Sequence, residues 1–126
     1  MAATPNADGG VLVVEDEALV RLLVVQTLQE AGFLVREAAE AAGAMAVLRD
    51  DGRIRLMITD VGLPGLNGRR LADQAREHRP DMKVLFMTGY ADSSLLEPSM
   101  PEGFGLIVKP FDLDELAARA EAMLAL

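Results

Sequence analysis

Cysteine is absent from this chain, and histidine and tyrosine occur once each. Without thiols there are no disulfides and no thiolate metal sites. A lone histidine supplies neither a Cys–His nucleophile pair nor a multi-histidine zinc site, so any metal must be held by oxygen. Long apolar runs are missing too: none could span a bilayer, and Met1 to Gly10 has neither the basic residues nor the apolar stretch of a signal peptide. The expected location is the cytoplasm, with no membrane insertion. Basic residues are scarce, 12 Lys and Arg against 20 Asp and Glu for a net charge of -8, which repels a phosphate backbone and argues against direct nucleic-acid binding. The local basic clusters, Arg69-Arg70 and Arg76 to Arg79, sit among Asp73, Glu77 and Asp81 and read as a solvated helix face.

What is present is a chain of 126 residues with 51% hydrophobic content, enough for one domain that buries its own core. Residues 1–9 form a polar, Gly-bearing tail, expected to be flexible, and residues 10–126 form the domain. Apolar runs of strand length alternate with segments of helical period. After Val11 to Val14, Glu17 to Ala31 places Val20, Leu23, Val24, Thr27, Leu28 and Ala31 on one helical face and stops at Gly32, a C-terminal cap residue. Leu34 to Ala38 is the second strand, Ala39 to Leu48 an alanine-rich helix, and Leu56 to Thr59 the third strand. A turn-rich loop from Val61 to Asn67 leads to a helix over Gly68 to His78, halted by Pro80, and Lys83 to Met87 is the fourth strand. Pro98 and Pro101 leave room for only a short helix after Asp92. A fifth strand ends at Val108, and Asp112 with Glu115 makes a capping-box pattern ahead of the last helix. Five β-α units imply an α/β fold, a doubly wound five-stranded parallel sheet of flavodoxin-like (βα)5 type in the order 2-1-3-4-5, with its crevice at the carboxyl ends of the first and third strands.

The apolar runs end on chemically distinct residues: Glu15-Asp16, Asp60, Thr88 and Lys109. A parallel sheet gathers these ends into one cleft. Three carboxylates repel one another unless a cation compensates them, and Mg²⁺ (or Mn²⁺) suits two or three carboxylates with a backbone carbonyl near Gly62. Asp60, beside a Gly-rich loop, is the expected nucleophile toward phosphorus. Thr88 can donate to a phosphoryl oxygen, Gly89 lets the backbone approach, and Lys109 supplies a point charge. Each residue alone reads as a cap, a strand-end hydroxyl or a surface charge; the joint placement carries the functional reading.

These residues stand in motifs that resemble response-regulator receiver domains of two-component systems: Val13-Val14-Glu15-Asp16-Glu17, Thr59-Asp60 through Asn67-Gly68, Met87-Thr88-Gly89-Tyr90 and Lys109-Pro110-Phe111, over a match from about Val11 to the C-terminus. The resemblance implies that Asp60 accepts phosphate from a phosphohistidine, on a sensor histidine kinase or a histidine phosphotransfer domain. It implies that Glu15, Asp16, Asp60 and the Gly62 carbonyl bind Mg²⁺, that Thr88 and Lys109 bind phosphoryl oxygens, and that the bond before Pro110 is cis. Catalysis would be confined to the domain's own phosphorylation and slow hydrolysis, with conformational change as the product. Most receivers carry an aromatic residue three positions before the lysine, whose rotamer follows the threonine hydroxyl; Leu106 takes that place here. Tyr90 is expected to overhang Asp60 and restrict water. Met-Thr-Gly-Tyr-Ala and Lys-Pro-Phe-Asp-Leu-Asp-Glu-Leu are similar to stretches of hybrid histidine kinase receivers and of small stand-alone receivers, so a fragment of a larger kinase or regulator is an alternative setting.

Outside the expected core stripe of the first helix, Leu19, Leu22 and Val25 form a second apolar row, the expected docking surface for the phosphohistidine-bearing bundle. His78, at a helix end between Glu77 and Arg79, is expected far from the cleft, and the seven methionines read as core fillers. Two rival classes are weaker. A flavin carrier would need a phosphate cradle where Glu15-Asp16-Glu17 stands, and a metal-dependent aspartyl-nucleophile phosphatase would need a general acid that Val61-Gly62 does not offer.

Overall fold

The computed structural model describes residues 10–63, 67–89 and 102–125. The expected tail, the Pro64 to Leu66 turn, Tyr90 and nearly all of the proline-broken segment before Gly103 lie outside the described residues. In chain order the elements are β1 (Gly10–Val14), α1 (Ala18–Glu30), β2 (Leu34–Ala38), α2 (Ala41–Asp50), β3 (Ile54–Asp60), α3 (Gly68–His78), β4 (Lys83–Thr88), β5 (Phe104–Val108) and α4 (Leu113–Leu124). The strands pair in parallel in the order β2-β1-β3-β4-β5, as expected from the βα alternation.

Because side chains alternate across a strand, the sheet has two cores. Leu12, Val14, Met57, Val84 and Phe86 face α2 and α3, where they meet Ala44, Leu48, Leu71, Ala72 and Ala75. Val11, Val13, Leu56, Ile58, Leu85 and Met87 face α1 and α4, against Val24, Val25, Leu28, Leu116 and Ala120. β1 is covered on both faces and every residue in it is buried, which is why it reads as an unbroken apolar run. α1 ends as expected: Gly32 has φ 98°, the Gly32 amide donates to the Gln29 carbonyl (3.0 Å) and the Phe33 amide to the Leu28 carbonyl (3.1 Å), the paired bonds of a Schellman cap.

Packing corrects several local expectations. α1 is rotated: Val25, expected on the outer row, is 6% exposed, whereas Leu23, expected in the core, is 42% exposed. With Leu28 fully buried, Val25 lies about 60° from it around the helix and Leu23 about 140° away, so the stripe centred on Leu28 takes in one and excludes the other. α2 starts two residues later than expected and runs on to Asp50. Asp112 caps α4 by accepting from the Asp114 amide (3.0 Å), rather than through the expected partnership with Glu115.

The α3 arginines are not simply a solvated face. Arg69 and Arg76 lie over the Phe104 ring at 5.4 and 5.0 Å, and Phe104 meets Phe86 edge-on at 5.4 Å. Arg79 donates to the carbonyls of Leu48, Asp51 and Ile54, closing the end of α2 against the start of β3. Beside this clasp, buried Asp51 accepts from the Arg53 amide (3.0 Å) and from both ends of its guanidinium (2.9 Å each), and from Arg36 (3.2 Å). These bonds, Arg53 foremost, hold the Asp51 carboxyl well below the usual carboxylate range. Gly68 opens α3 directly against the end of β3; a Cβ there would sit 2.2 Å from the Asp60 carbonyl oxygen and 2.9 Å from Val61 Cα.

Two outcomes follow from this packing. A carboxyl with a depressed folded pKa stabilises fully above its unfolded pKa and loses that contribution as pH falls toward the folded value. Asp51→Asn should therefore lower urea-unfolding stability by about 1–2 kcal/mol at pH 7, screening by the exposed arginines limiting the loss, with the gap to wild type narrowing as pH drops below about 4. Equal stability of the two proteins at pH 7 would contradict the role given to this ion pair. Gly68→Ala should cost about 1–3 kcal/mol in the same assay, because backbone rather than a movable side chain blocks the new methyl; a fully stable Ala variant would mean the approach is looser than described.

Candidate functional site

The carboxyl ends of β1, β3, β4 and β5 bring Glu15, Asp16, Asp60, Thr88 and Lys109 to one edge of the sheet, each from the strand end that its apolar run indicated. Three residues, Glu15 to Glu17, connect β1 to α1. Within this elbow the Glu15 amide donates to the Ala38 carbonyl (3.1 Å), and Glu15 Oε2 accepts from the Glu17 amide (3.0 Å). Asp60 Oδ1 accepts from the Gly62 amide at 3.1 Å, and Asp60 Oδ2 accepts from Lys109 Nζ at 2.8 Å. Lys109 Nζ also lies 3.5 Å from Glu15 Oε1.

The backbone holds the ring of strand ends together. The Lys109 amide donates to the Thr88 carbonyl (2.7 Å), the Val61 amide to the Met87 carbonyl (3.1 Å) and the Gly68 amide to the Val61 carbonyl (2.8 Å). The Lys109–Pro110 bond is cis, as the resemblance implied. Thr88 is fully buried and its hydroxyl donates to the Gly89 carbonyl at 2.9 Å. Leu106 is half-buried and, like Phe104, packs against the core on the α2 and α3 side of the sheet. His78 ends α3 beside Ile54 at the start of β3, the opposite edge of the sheet from Asp60.

One carboxylate oxygen from each of Glu15, Asp16 and Asp60 lies within 4.8 Å of the others. Glu15 is fully buried, Asp60 is 8% exposed and Asp16 is open to solvent. Burial, with the Asp60 charge adding to it, pushes the Glu15 carboxyl up to about 7 against the opposing Glu17 amide and Lys109 ammonium. For Lys109, burial works against the charge, but the hydrogen bond and charge of Asp60, helped by Glu15, outweigh it and hold the ammonium above its ordinary value. One ammonium thus under-compensates three acids. The donors are all oxygen and they converge, which fits a hard divalent cation.

Two features escape sequence reasoning. Arg21, inside an apolar helix, donates to the Glu15 main-chain carbonyl (2.8 Å) and to Glu37 Oε1 (3.0 Å); its only sequence signal is a single cation in an otherwise apolar stretch. An apolar hollow of about 510 Å³ also opens beside Lys109, lined by Val20, Leu23, Val24, Pro110 and Phe111 among others. Next to it, Leu19 and Leu22 are 68% and 49% exposed, so the outer apolar row of α1 consists of Leu19, Leu22 and Leu23, without Val25.

Among the described residues, no helix is long and apolar enough to cross a membrane. The family model for the response regulator receiver domain matches residues 11–121. The chain is 35% identical over 116 residues to the sensor kinase CckA of Brucella abortus (strain 2308), covering 90% of this chain and 12% of that kinase. It is 34% identical over 115 residues to the response regulator receiver protein CpdR of the same organism, covering 90% of this chain and 95% of that protein. The crystal structure of a response regulator receiver protein from Sinorhizobium medicae WSM419 matches with a TM-score of 0.82 at 28% identity, covering 92% of this chain and 94% of that one. Similar sequences thus make up a small part of a sensor kinase and nearly all of a receiver protein. With its sheet order, its convergent acids and these matches, the chain belongs to the response regulator receiver domain family of two-component signalling.

Proposed function

We propose that the chain is a cytoplasmic phosphoacceptor switch in which Asp60 takes a phosphoryl group from the phosphohistidine of a sensor histidine kinase or a histidine phosphotransfer domain. The observation that carries this reading is the 2.8 Å bond from Lys109 to Asp60 Oδ2, made at a cleft where Glu15 and Asp16 also converge. An aspartate oxygen attacks phosphorus in line; a P–O bond forms as the P–N bond breaks, and the electron pair leaves with the imidazole, which takes up a proton. Lys109 passes from the carboxylate to a phosphoryl oxygen, and Thr88 turns its hydroxyl from the Gly89 carbonyl to another. Gly89, without a Cβ, leaves room for the group to settle, and Pro110 follows Lys109 at the rim. Glu15, Asp16, Asp60 and the Gly62 carbonyl would hold Mg²⁺ or Mn²⁺, which supplies the positive charge that lets a phosphoryl group approach an acidic edge.

The partner surface we assign is the row Leu19, Leu22 and Leu23 with the adjoining hollow. It adjoins the cleft because Lys109, which bonds Asp60, lines it, as does Glu17, whose amide bonds Glu15, and it is apolar enough to seat a helix of the phosphohistidine-bearing bundle. The two settings seen among the relatives, within a sensor kinase and as a receiver protein, are both compatible with this role for Asp60. A phosphatase acting on small phosphoesters is disfavoured, since the residues after Asp60 are buried Val61 and then Gly62, neither an acid.

Intact-mass spectrometry after incubation with acetyl phosphate and Mg²⁺ should show one added phosphoryl group per chain, abolished by Asp60→Asn and by chelation; an adduct that survives in Asp60→Asn would place the acceptor elsewhere. With a phosphohistidine domain that labels the wild type, Leu22→Arg should slow transfer about tenfold, the effect of losing a central interface contact, while labelling by acetyl phosphate, which needs no docking, continues. Unchanged transfer rates would remove α1 from the docking surface.

A further inference from the structure

We infer that Arg21 is a positioning residue for the cation site: by bonding the Glu15 carbonyl and the Glu37 carboxylate together, it fixes the elbow that carries two of the three acids. The inference rests on the cleft being a divalent-cation site, as proposed above. Its basis is a pair of contacts outside the acid cluster itself. Arg21 Nη1 donates to the Glu15 main-chain oxygen at 2.8 Å, and Arg21 Nε donates to Glu37 Oε1 at 3.0 Å. The guanidinium is mostly covered, its side chain 21% exposed, while Glu37 is 52% exposed at the edge strand β2.

The elbow is therefore held to β2 at two points. The Glu15 amide bonds the Ala38 carbonyl directly, and the Glu15 carbonyl reaches Glu37 through Arg21. Only residues 15–17 separate β1 from α1, and the Glu15 carbonyl lies in the peptide that joins the two acids, so an unopposed rotation about ψ of Glu15 or φ of Asp16 swings one carboxylate away from the other. Mutual repulsion with Asp60 favours that rotation in the absence of a cation, and a rigid planar fork that joins two acceptors opposes it. Groups that orient ligands without touching the metal are worth one to two orders of magnitude in metal affinity elsewhere.

The sign of the effect separates positioning from simple electrostatics. If Arg21 acted only as a nearby positive charge, removing it would tighten cation binding; if it orients the elbow, removal weakens binding even though a repulsive charge has gone. Calorimetric titration of the full chain with MgCl₂ should show Arg21→Met binding about tenfold more weakly than wild type, with one site per chain retained at saturation, and Arg21→Lys in between because one ammonium cannot hold both oxygens in a fork. Affinity equal to or tighter than wild type in Arg21→Met overturns the inference. Should Arg21→Met fail to fold by circular dichroism, Arg21→Lys carries the test, and wild-type affinity in that variant overturns it equally. If the wild type takes up no Mg²⁺, the reading of the cleft fails first and this inference with it.

Discussion

The repulsion among Glu15, Asp16 and Asp60 is the constraint around which the rest of this molecule is arranged. Two unit charges within 4.8 Å of each other repel by roughly 3 kcal/mol at an effective dielectric of about 20, so three such oxygens cannot be left to themselves at the edge of a sheet. The fold answers in part. Lys109 leans in from β5, the Gly62 and Glu17 amides donate to two of the acids, and Glu15 drifts toward neutrality through burial. What remains is a negative, convergent cleft whose donors are all oxygen, the kind a hard divalent cation takes.

The two edges of the sheet use charge in opposite ways. At the amino edge Asp51 is closed in by Arg53 and Arg36, while Arg79 takes up three carbonyls, so that edge is internally satisfied and locks α2 to β3. Among the described residues no buried side-chain polar atom lacks a partner. At the carboxyl edge Lys109 is shared between two acids, and the Thr88 hydroxyl bonds the neighbouring Gly89 carbonyl, contacts that under the proposed function are exchanged for bonds to a phosphoryl group. Under that proposal, a charge event at the carboxyl edge acts on a sheet whose opposite edge is closed by its own ion pairs and hydrogen bonds.

Several elements were legible because their signals are local. β1 reads as a strand because both its faces are apolar, α1 stops where Gly32 permits a positive φ, and Gly68 to His78 reads as a helix ended by the approach to Pro80. The cleft was legible for a related reason: parallel topology sends every strand's carboxyl end to the same edge, so a list of strand-end residues is already a list of neighbours. The misreadings fall where neighbours decide. α1 is apolar on nearly all sides, and periodicity cannot choose between burying Leu23 and burying Val25. Arg69 and Arg76 look like surface charges until β5 places Phe104 beneath them.

Element order, the winding of the sheet and the kinds of functional group at its carboxyl edge follow from apolar period, turn chemistry and the connectivity of parallel strands, and so are written in the chain. Tertiary structure alone decided which face of α1 meets the sheet, that Arg21 joins the Glu15 carbonyl to Glu37, and how far burial raises the Glu15 carboxyl. Each of these depends on groups far apart in the chain, whose separations in space and local dielectric exist only once the two cores have closed.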